Sequence, residues 1–167
     1  EFVNCGIGGD TSAGLLSRFR ADVVGRRPHA VILLGGANDL WWNLDIGSIL
    51  ANLFTMACQA HSHRIVPIVG LPPPIDAAKA RARDMFQPLA GWDVCCRKLA
   101  ELVEALRTAA RSCQIACLDF HRPFLAPDGT VRGDLYLENG LHPNPGGHRL
   151  MAEAAAALVT ALAPHRR

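Results

Sequence analysis

The chain has 167 residues, half of them apolar and 19% charged, with a net charge of +2, which is long enough to bury a core within one domain and too apolar for disorder. Its arginines are scattered rather than striped, which excludes the basic footprint of a nucleic-acid or anionic-membrane binder. No apolar run approaches the length of a membrane helix, and the first residues have neither the charged start nor the apolar core of a signal peptide.

Phe2 to Cys5 reads as the end of a short strand that runs into the glycine-rich turn Gly6-Ile7-Gly8-Gly9. Asp10 or Thr11 then caps a helix with Leu15, Leu16, Phe19 and Val23 on one side. His29 to Leu34 is a second strand, apolar in its later part as expected when both faces of a parallel sheet are covered. It ends in a loop, Gly35-Gly36-Ala37-Asn38-Asp39. Ile46, Ile49, Leu50, Leu53, Met56, Ala57 and Ala60 recur at helical spacing, and Arg64 to Gly70 follows as a third strand, in which Pro67 implies an edge-like or bulged position. The connection from Leu71 to Gly91, with prolines at 72 to 74, has room for a short helix. Long connections of this kind are often lids or binding walls.

Trp92 to Arg111 carries Cys95, Leu99, Leu102, Val103 and Leu106 at helical spacing, and Gln114 to Phe120 is a fourth strand. A polar loop from His121 to Glu138 leads to the last helix, about Pro145 to Leu162, with Leu150, Met151, Ala154, Leu158 and Leu162 inward. Asn144 caps that helix and Pro145 takes its first turn. His142 thus sits at a loop-to-helix junction, where an imidazole exchanges protons near neutral pH. Strand and helix alternate throughout. The pattern predicts one α/β domain over residues 1–167, a parallel sheet between helices with ligands at the carboxyl ends of the strands.

The six cysteines, Cys5, Cys58, Cys95, Cys96, Cys113 and Cys117, form no Cys-x-x-Cys pair and fall mostly in apolar segments. They read as reduced, buried thiols and favour a cytoplasmic setting. His61 and His63 have a metal-like spacing, but at a helix end they are read as partners of terminal carbonyls, so no metal and no cofactor is assigned. Trp41 and Trp42 read as packing residues or, beside the Leu71 to Gly91 connection, as wall of a pocket. Gly6-x-Gly8 opens like a dinucleotide fingerprint, but Thr11 stands where that motif needs glycine and no acidic residue follows at the expected distance.

Three loops at the carboxyl ends of strands resemble, in order and wording, the blocks of the SGNH or GDSL hydrolases: residues Asn4 to Ser12, Gly35 to Asp39, and Asn139 to Asn144. The resemblance implies a three-layer α/β/α sandwich with a flavodoxin-like parallel sheet, and a serine esterase or lipase acting on a small-molecule ester. It places the Gly9 N–H and the Asn38 amide in an oxyanion hole, and His142 as the base that takes the proton of a serine nucleophile.

Two departures stand beside these matches. The family's Gly-Asp-Ser block is absent: the five serines are Ser12, Ser17, Ser48, Ser62 and Ser112, and none lies in Gly-x-Ser-x-Gly. Gly9-Asp10-Thr11-Ser12 comes nearest in wording, yet its Asn-x-Gly lead-in matches the second block better, so Ser12 is not read as the nucleophile. The family's first strand, central in the sheet, and its serine are therefore expected before residue 1, about thirty residues by the size of a strand-turn-helix unit. A missing N-terminal segment, or a second chain, would complete the sheet. Asn139 stands where the family's pattern has aspartate; an amide orients the imidazole only in part and hardly stabilises its protonated form. Glu138, Asp134 or Asp128 in the same loop, or a backbone carbonyl, are left open as substitutes. Asn139-Gly140 is also a dipeptide prone to deamidation. Together the departures keep a second reading in view, a binding or scaffold protein built on the same frame without hydrolytic activity.

Overall fold

The structure, a computed structural model, describes residues 2–83 and 87–162, and for Val159 and Leu162 the backbone only. The chain forms two compact units: Glu1–Pro72 with Gln87–Cys117, and Pro73–Phe86 with Leu118–Arg167.

In the first unit, α1 (Ser12–Asp22) begins where Thr11 Oγ1 accepts the Gly14 N–H at 3.3 Å, satisfying one of the donors that a helix start leaves open. Then come β1 (Ala30–Leu33), α2 (Ala37–Trp41), α3 (Ile46–Ser62), β2 (Val66–Leu71) and α5 (Trp92–Ser112). In α3, Asp45 caps the Ser48 N–H at 3.0 Å, and Ile49, Leu53, Met56, Ala57 and Ala60 are buried. In α5, Cys95, Leu99, Leu102, Val103 and Leu106 are buried, as their spacing predicts. Each fully buried leucine contributes about 1.5–3 kcal/mol.

The sheet has the order β1-β2-β3, where β3 is Ala116–Asp119, and β1 runs parallel to β2 in the register Ala30 to Val66 through Leu33 to Val69. With that order, right-handed crossovers carry α3 and α5 to the same face, and α3, α5 and the sheet are in contact. Residues 67–71 of β2 are buried in succession, so both faces of the strand are covered, as in the middle layer of an α/β/α sandwich.

Three expectations change. Phe2 to Cys5 is not a strand: it has no ladder partner among the described residues, and an extended segment without a neighbour gains no ladder hydrogen bonds. Its Cys5 carbonyl instead accepts from Arg18 at 2.6 Å. Pro67 lies in the middle strand of the three rather than at an edge. The Val66 N–H bonds the His29 carbonyl on the β1 side at 2.9 Å, and because successive N–H groups alternate sides, the missing donor of Pro67 faces the other way, at the second residue of the strand. Finally, residues 37–41 are helical rather than loop: Gly36, at φ +104°, starts the turn, its carbonyl accepts the Leu40 N–H at 3.1 Å, and Leu40 is buried.

The second unit contains α4 (Ala77–Ala82), the short helix anticipated in the long connection, and α6 (Pro145–Leu162). Between β3 and α6 lie two 3₁₀ turns, Arg122–Phe124 and Gly133–Leu135. Phe124, Leu135 and Tyr136 form a small core with Val131, Leu150 and Met151, and the Phe124 and Tyr136 rings meet edge to face with centroids 5.3 Å apart. Ala154 and Leu158 are half-buried, and the side chain of Leu162 lies outside the described residues. Among the described residues no helix is long and apolar enough to cross a membrane.

Candidate active site

The glycine-rich turn is held from below by α1. Arg18 donates from Nε to Asp10 Oδ2 at 2.8 Å and from Nη1 to Asp22 Oδ2 and the Cys5 carbonyl, both at 2.6 Å. One guanidinium thus ties both ends of the turn to the helix, and its two carboxylate partners raise its pKa further. Within the turn Gly9 is exposed at φ +80°, a conformation that favours glycine, and its N–H is unbonded among the described residues. A Cβ there would meet nothing within 4 Å, so the backbone and not crowding calls for glycine.

Asn38, in the first turn of α2, reaches the same loop: its Nδ2 donates to the Asp10 carbonyl at 2.8 Å. The amide has a second N–H that this bond leaves available. The first and second of the three motif loops are therefore joined by a direct hydrogen bond, one residue from Gly9.

Behind that contact Asp39 is buried, with 1% exposure. Its Oδ2 accepts the Ser12 N–H at 2.8 Å, its Oδ1 accepts the Ser12 hydroxyl at 2.6 Å, and Asn52 Nδ2 donates to the same hydroxyl oxygen at 2.9 Å. Ser12 is itself 0% exposed. A hydroxyl that donates to a buried carboxylate and is closed to solvent cannot meet a substrate, so its part is to staple α1 to α2 and α3.

His142 belongs to the second unit, in a tight antiparallel loop. Tyr136 and Pro143 form a bridge, the Leu137 N–H donates to the His142 carbonyl at 2.8 Å, and the Gly140 N–H donates to the Leu137 carbonyl at 3.0 Å. Asn144 closes the loop, with Nδ2 on the Asp134 carbonyl at 2.7 Å, while its Oδ1 accepts from Gly146 at 2.9 Å and Gly147 at 3.1 Å. The cap anticipated for the last helix is thus formed. On the other side the Asp76 N–H donates to the Gly140 carbonyl at 2.9 Å, Lys79 Nζ donates to the Gly133 carbonyl at 2.8 Å, and the Tyr136 hydroxyl donates to the Pro74 carbonyl. Burial pushes the Tyr136 phenol well above its ordinary pKa, with Asp76 adding to the shift, so it remains a donor.

In this frame Asn139 Oδ1 accepts the Leu141 N–H at 3.0 Å and the His142 N–H at 3.1 Å, and Asn139 Nδ2 lies 2.9 Å from His142 Nδ1. The imidazole is exposed. None of the carboxylates left open as substitutes bonds to it: Asp134 faces Arg132 at 3.4 Å, Asp128 is taken up by the Thr130 N–H and hydroxyl, which lower its pKa, and Glu138 points to solvent without a hydrogen bond to the ring. The deamidation expected at Asn139-Gly140 meets resistance here, because the attacking Gly140 nitrogen is hydrogen-bonded and its residue is buried.

Other residues depart from expectation in detail. Trp41 packs edge to face on Trp92, with centroids 5.3 Å apart, while Trp42 is 50% exposed. His61 and His63 are exposed, and their rings hold no helix-terminal carbonyl among the described residues. No disulfide joins the six cysteines; Cys95 alone is fully buried, and Cys58 and Cys113 are exposed. Among the described residues no group of three or more His, Cys, Asp or Glu could hold a metal. Arg18, Asp39 and Asn52 were missed by motif reading. Asp39 left a signal as the residue following Asn38 in the loop wording, and Arg18 as the i, i+4 partner of Asp22; the bonds of Arg18 to Asp10 and of Asn52 to Ser12 span 8 and 40 positions.

Residues 1–150 match the model of the GDSL-like lipase/acylhydrolase family. Similar solved structures include a GDSL-like lipase from Bacteroides thetaiotaomicron, 21% identical over 95% of this chain and 75% of that one, with a TM-score of 0.79. A lipolytic protein of the G-D-S-L family from Desulfitobacterium hafniense is 26% identical over 95% and 81%, with a TM-score of 0.79. An acetylxylan esterase from Geobacillus stearothermophilus is 20% identical over 93% and 70%, with a TM-score of 0.73. No curated protein matches the chain in sequence.

Proposed function

The chain belongs to the GDSL-like lipase/acylhydrolase family, and from that premise we propose that it supplies the oxyanion hole and the histidine of a serine carboxylic ester hydrolase. The Gly9 N–H and the free N–H of Asn38 receive the negative charge that develops on the carbonyl oxygen of a small-molecule ester. His142 is the group assigned to take the proton of the attacking serine and return it to the departing alcohol, a transfer that needs a lone pair on the ring nitrogen facing the serine; water then repeats the sequence on the acyl-enzyme. The serine comes from outside residues 1–167, since Ser12 is sealed against Asp39 and no other serine lies in a nucleophile motif.

The observation that carries this reading is the 2.8 Å bond from Asn38 Nδ2 to the Asp10 carbonyl. It joins the Asn38 amide to the residue next to Gly9, so that both proposed donors belong to one pair of linked loops. Removing one such donor typically costs about a hundredfold to a thousandfold in turnover.

A second reading, a family member that binds without hydrolysing, is favoured by one feature: the group facing His142 Nδ1 is an amide NH2 and not a carboxylate. Turnover of short-chain and medium-chain p-nitrophenyl esters separates the two. It is measured for this chain and for the full-length gene product, each with and without His142→Ala. Hydrolysis by the full-length protein that His142→Ala abolishes supports the esterase; a folded, inert full-length protein supports the binding module.

A further inference from the structure

We infer that Asn139 locks neutral His142 in the tautomer with the proton on Nε2, so that the ring as built offers a hydrogen-bond donor where a general base needs a lone pair. Two backbone N–H groups, of Leu141 and His142, point at one side-chain atom of Asn139, at 3.0 and 3.1 Å. An N–H group cannot accept from them, so that atom is the oxygen and the atom 2.9 Å from His142 Nδ1 is the NH2. Turning the amide over would set an NH2 against two N–H donors and lose both bonds. The NH2 only donates, hence Nδ1 accepts, hence the proton of the neutral ring is on Nε2.

The consequence rests on the acylhydrolase reading. A serine proton can move only to a lone pair. On this ring that atom is Nδ1, which already faces Asn139, while Nε2 must first lose its own proton. Shifting that proton to Nδ1 would bring two donors together. As it stands, Nε2–H is suited to donate to a carbonyl or alkoxy oxygen, not to withdraw a proton from a hydroxyl. The turn itself is already shaped for a carboxylate. An aspartate at 139 would keep both backbone bonds on one oxygen and accept Nδ1–H on the other, returning the lone pair to Nε2. Asn139 is thus a positioning residue that sets the direction of proton transfer at His142.

The test reads the tautomer directly. Long-range nitrogen-proton NMR correlations of the His142 ring are recorded on the full-length protein well above the ordinary imidazole pKa of about 6.5. They are recorded for wild type, Asn139→Asp and Asn139→Ala. The expected result is Nε2–H alone in wild type, a mixture in Asn139→Ala, which removes the donor, and a dominant Nδ1–H form in Asn139→Asp. A wild-type ring protonated on Nδ1, or three indistinguishable tautomer ratios, overturns the inference.

Turnover of p-nitrophenyl acetate adds the functional arm. Asn139→Asp is expected to raise kcat on the order of a hundredfold to ten-thousandfold with KM little changed, the reverse of the loss when a triad aspartate becomes asparagine. A tautomer switch with no turnover in any variant leaves the inference standing and rejects the esterase reading. An unchanged tautomer with turnover that His142→Ala abolishes does the opposite.

Discussion

Asp39 and Asn139 fill the same kind of post in two different units of the protein. Each is a short side chain in a loop whose oxygens gather nearby donors, and each stands beside a residue of the motif blocks. Asp39 is buried, and both of its oxygens accept from Ser12, so donors and acceptors balance. Asn139 gathers two backbone N–H groups on its oxygen and has only a donor left for the ring of His142. Exchange of one oxygen for NH2 hardly alters the shape of such a turn, yet it reverses the sense of the hydrogen bond it makes. Geometry alone is therefore a poor guide to proton transfer; the sense of each bond has to be worked out.

The contrast breaks most readily at Asp39. Asp39→Ala strands the Ser12 N–H and hydroxyl in a buried site, and the expected loss is about 3 kcal/mol, read from urea unfolding as a lower midpoint at unchanged slope. At the other post the backbone is the weak point. Gly140 has φ +66°, and a Cβ there would come within 2.3 Å of the Asp76 carbonyl oxygen and 2.9 Å of the Ala80 nitrogen. Gly140→Ala is expected to cost about 2 kcal/mol and to free the amides of residues 137–142 for fast hydrogen exchange, while those of α3 stay protected. A uniform rise in exchange across both units would show that the turn is not a local element.

A smaller effect sharpens the same point about buried polar groups. Burial pushes the Cys95 thiol from 9.0 up to about 11, with Cys96 adding to the rise and Lys98 opposing it. The folded chain thus holds this proton where the unfolded chain releases it. Stability is unaffected below pH 9 and falls as pH rises from 9 through about 11. Cys95→Ala is expected to flatten that alkaline decline, as measured by the unfolding midpoint against pH.

Elements with a strong period could be read without coordinates. The inward faces of α3 and α5 and the Asn144 cap of α6 all stand where the residues put them, because a period of 3.6 and a capping side chain are local properties. What needed distant partners was not readable. Phe2 to Cys5 has the composition of a strand, but a ladder depends on a neighbour that composition does not name. Pro67 looked like an edge residue because the side its missing donor faces is decided by register.

The site divides along the same line. Sequence by itself named the residues to which we assign the chemistry, Gly9, Asn38, Asn139 and His142, and set an asparagine where the family pattern has aspartate. Tertiary structure decided what they bond to: that Asn38 reaches the Asp10 carbonyl, that Ser12 is sealed against Asp39, and that no carboxylate of the loop bonds to His142. The physical reason is that residue identity sets how many donors and acceptors a side chain has, whereas their direction depends on which backbone groups have claimed them first.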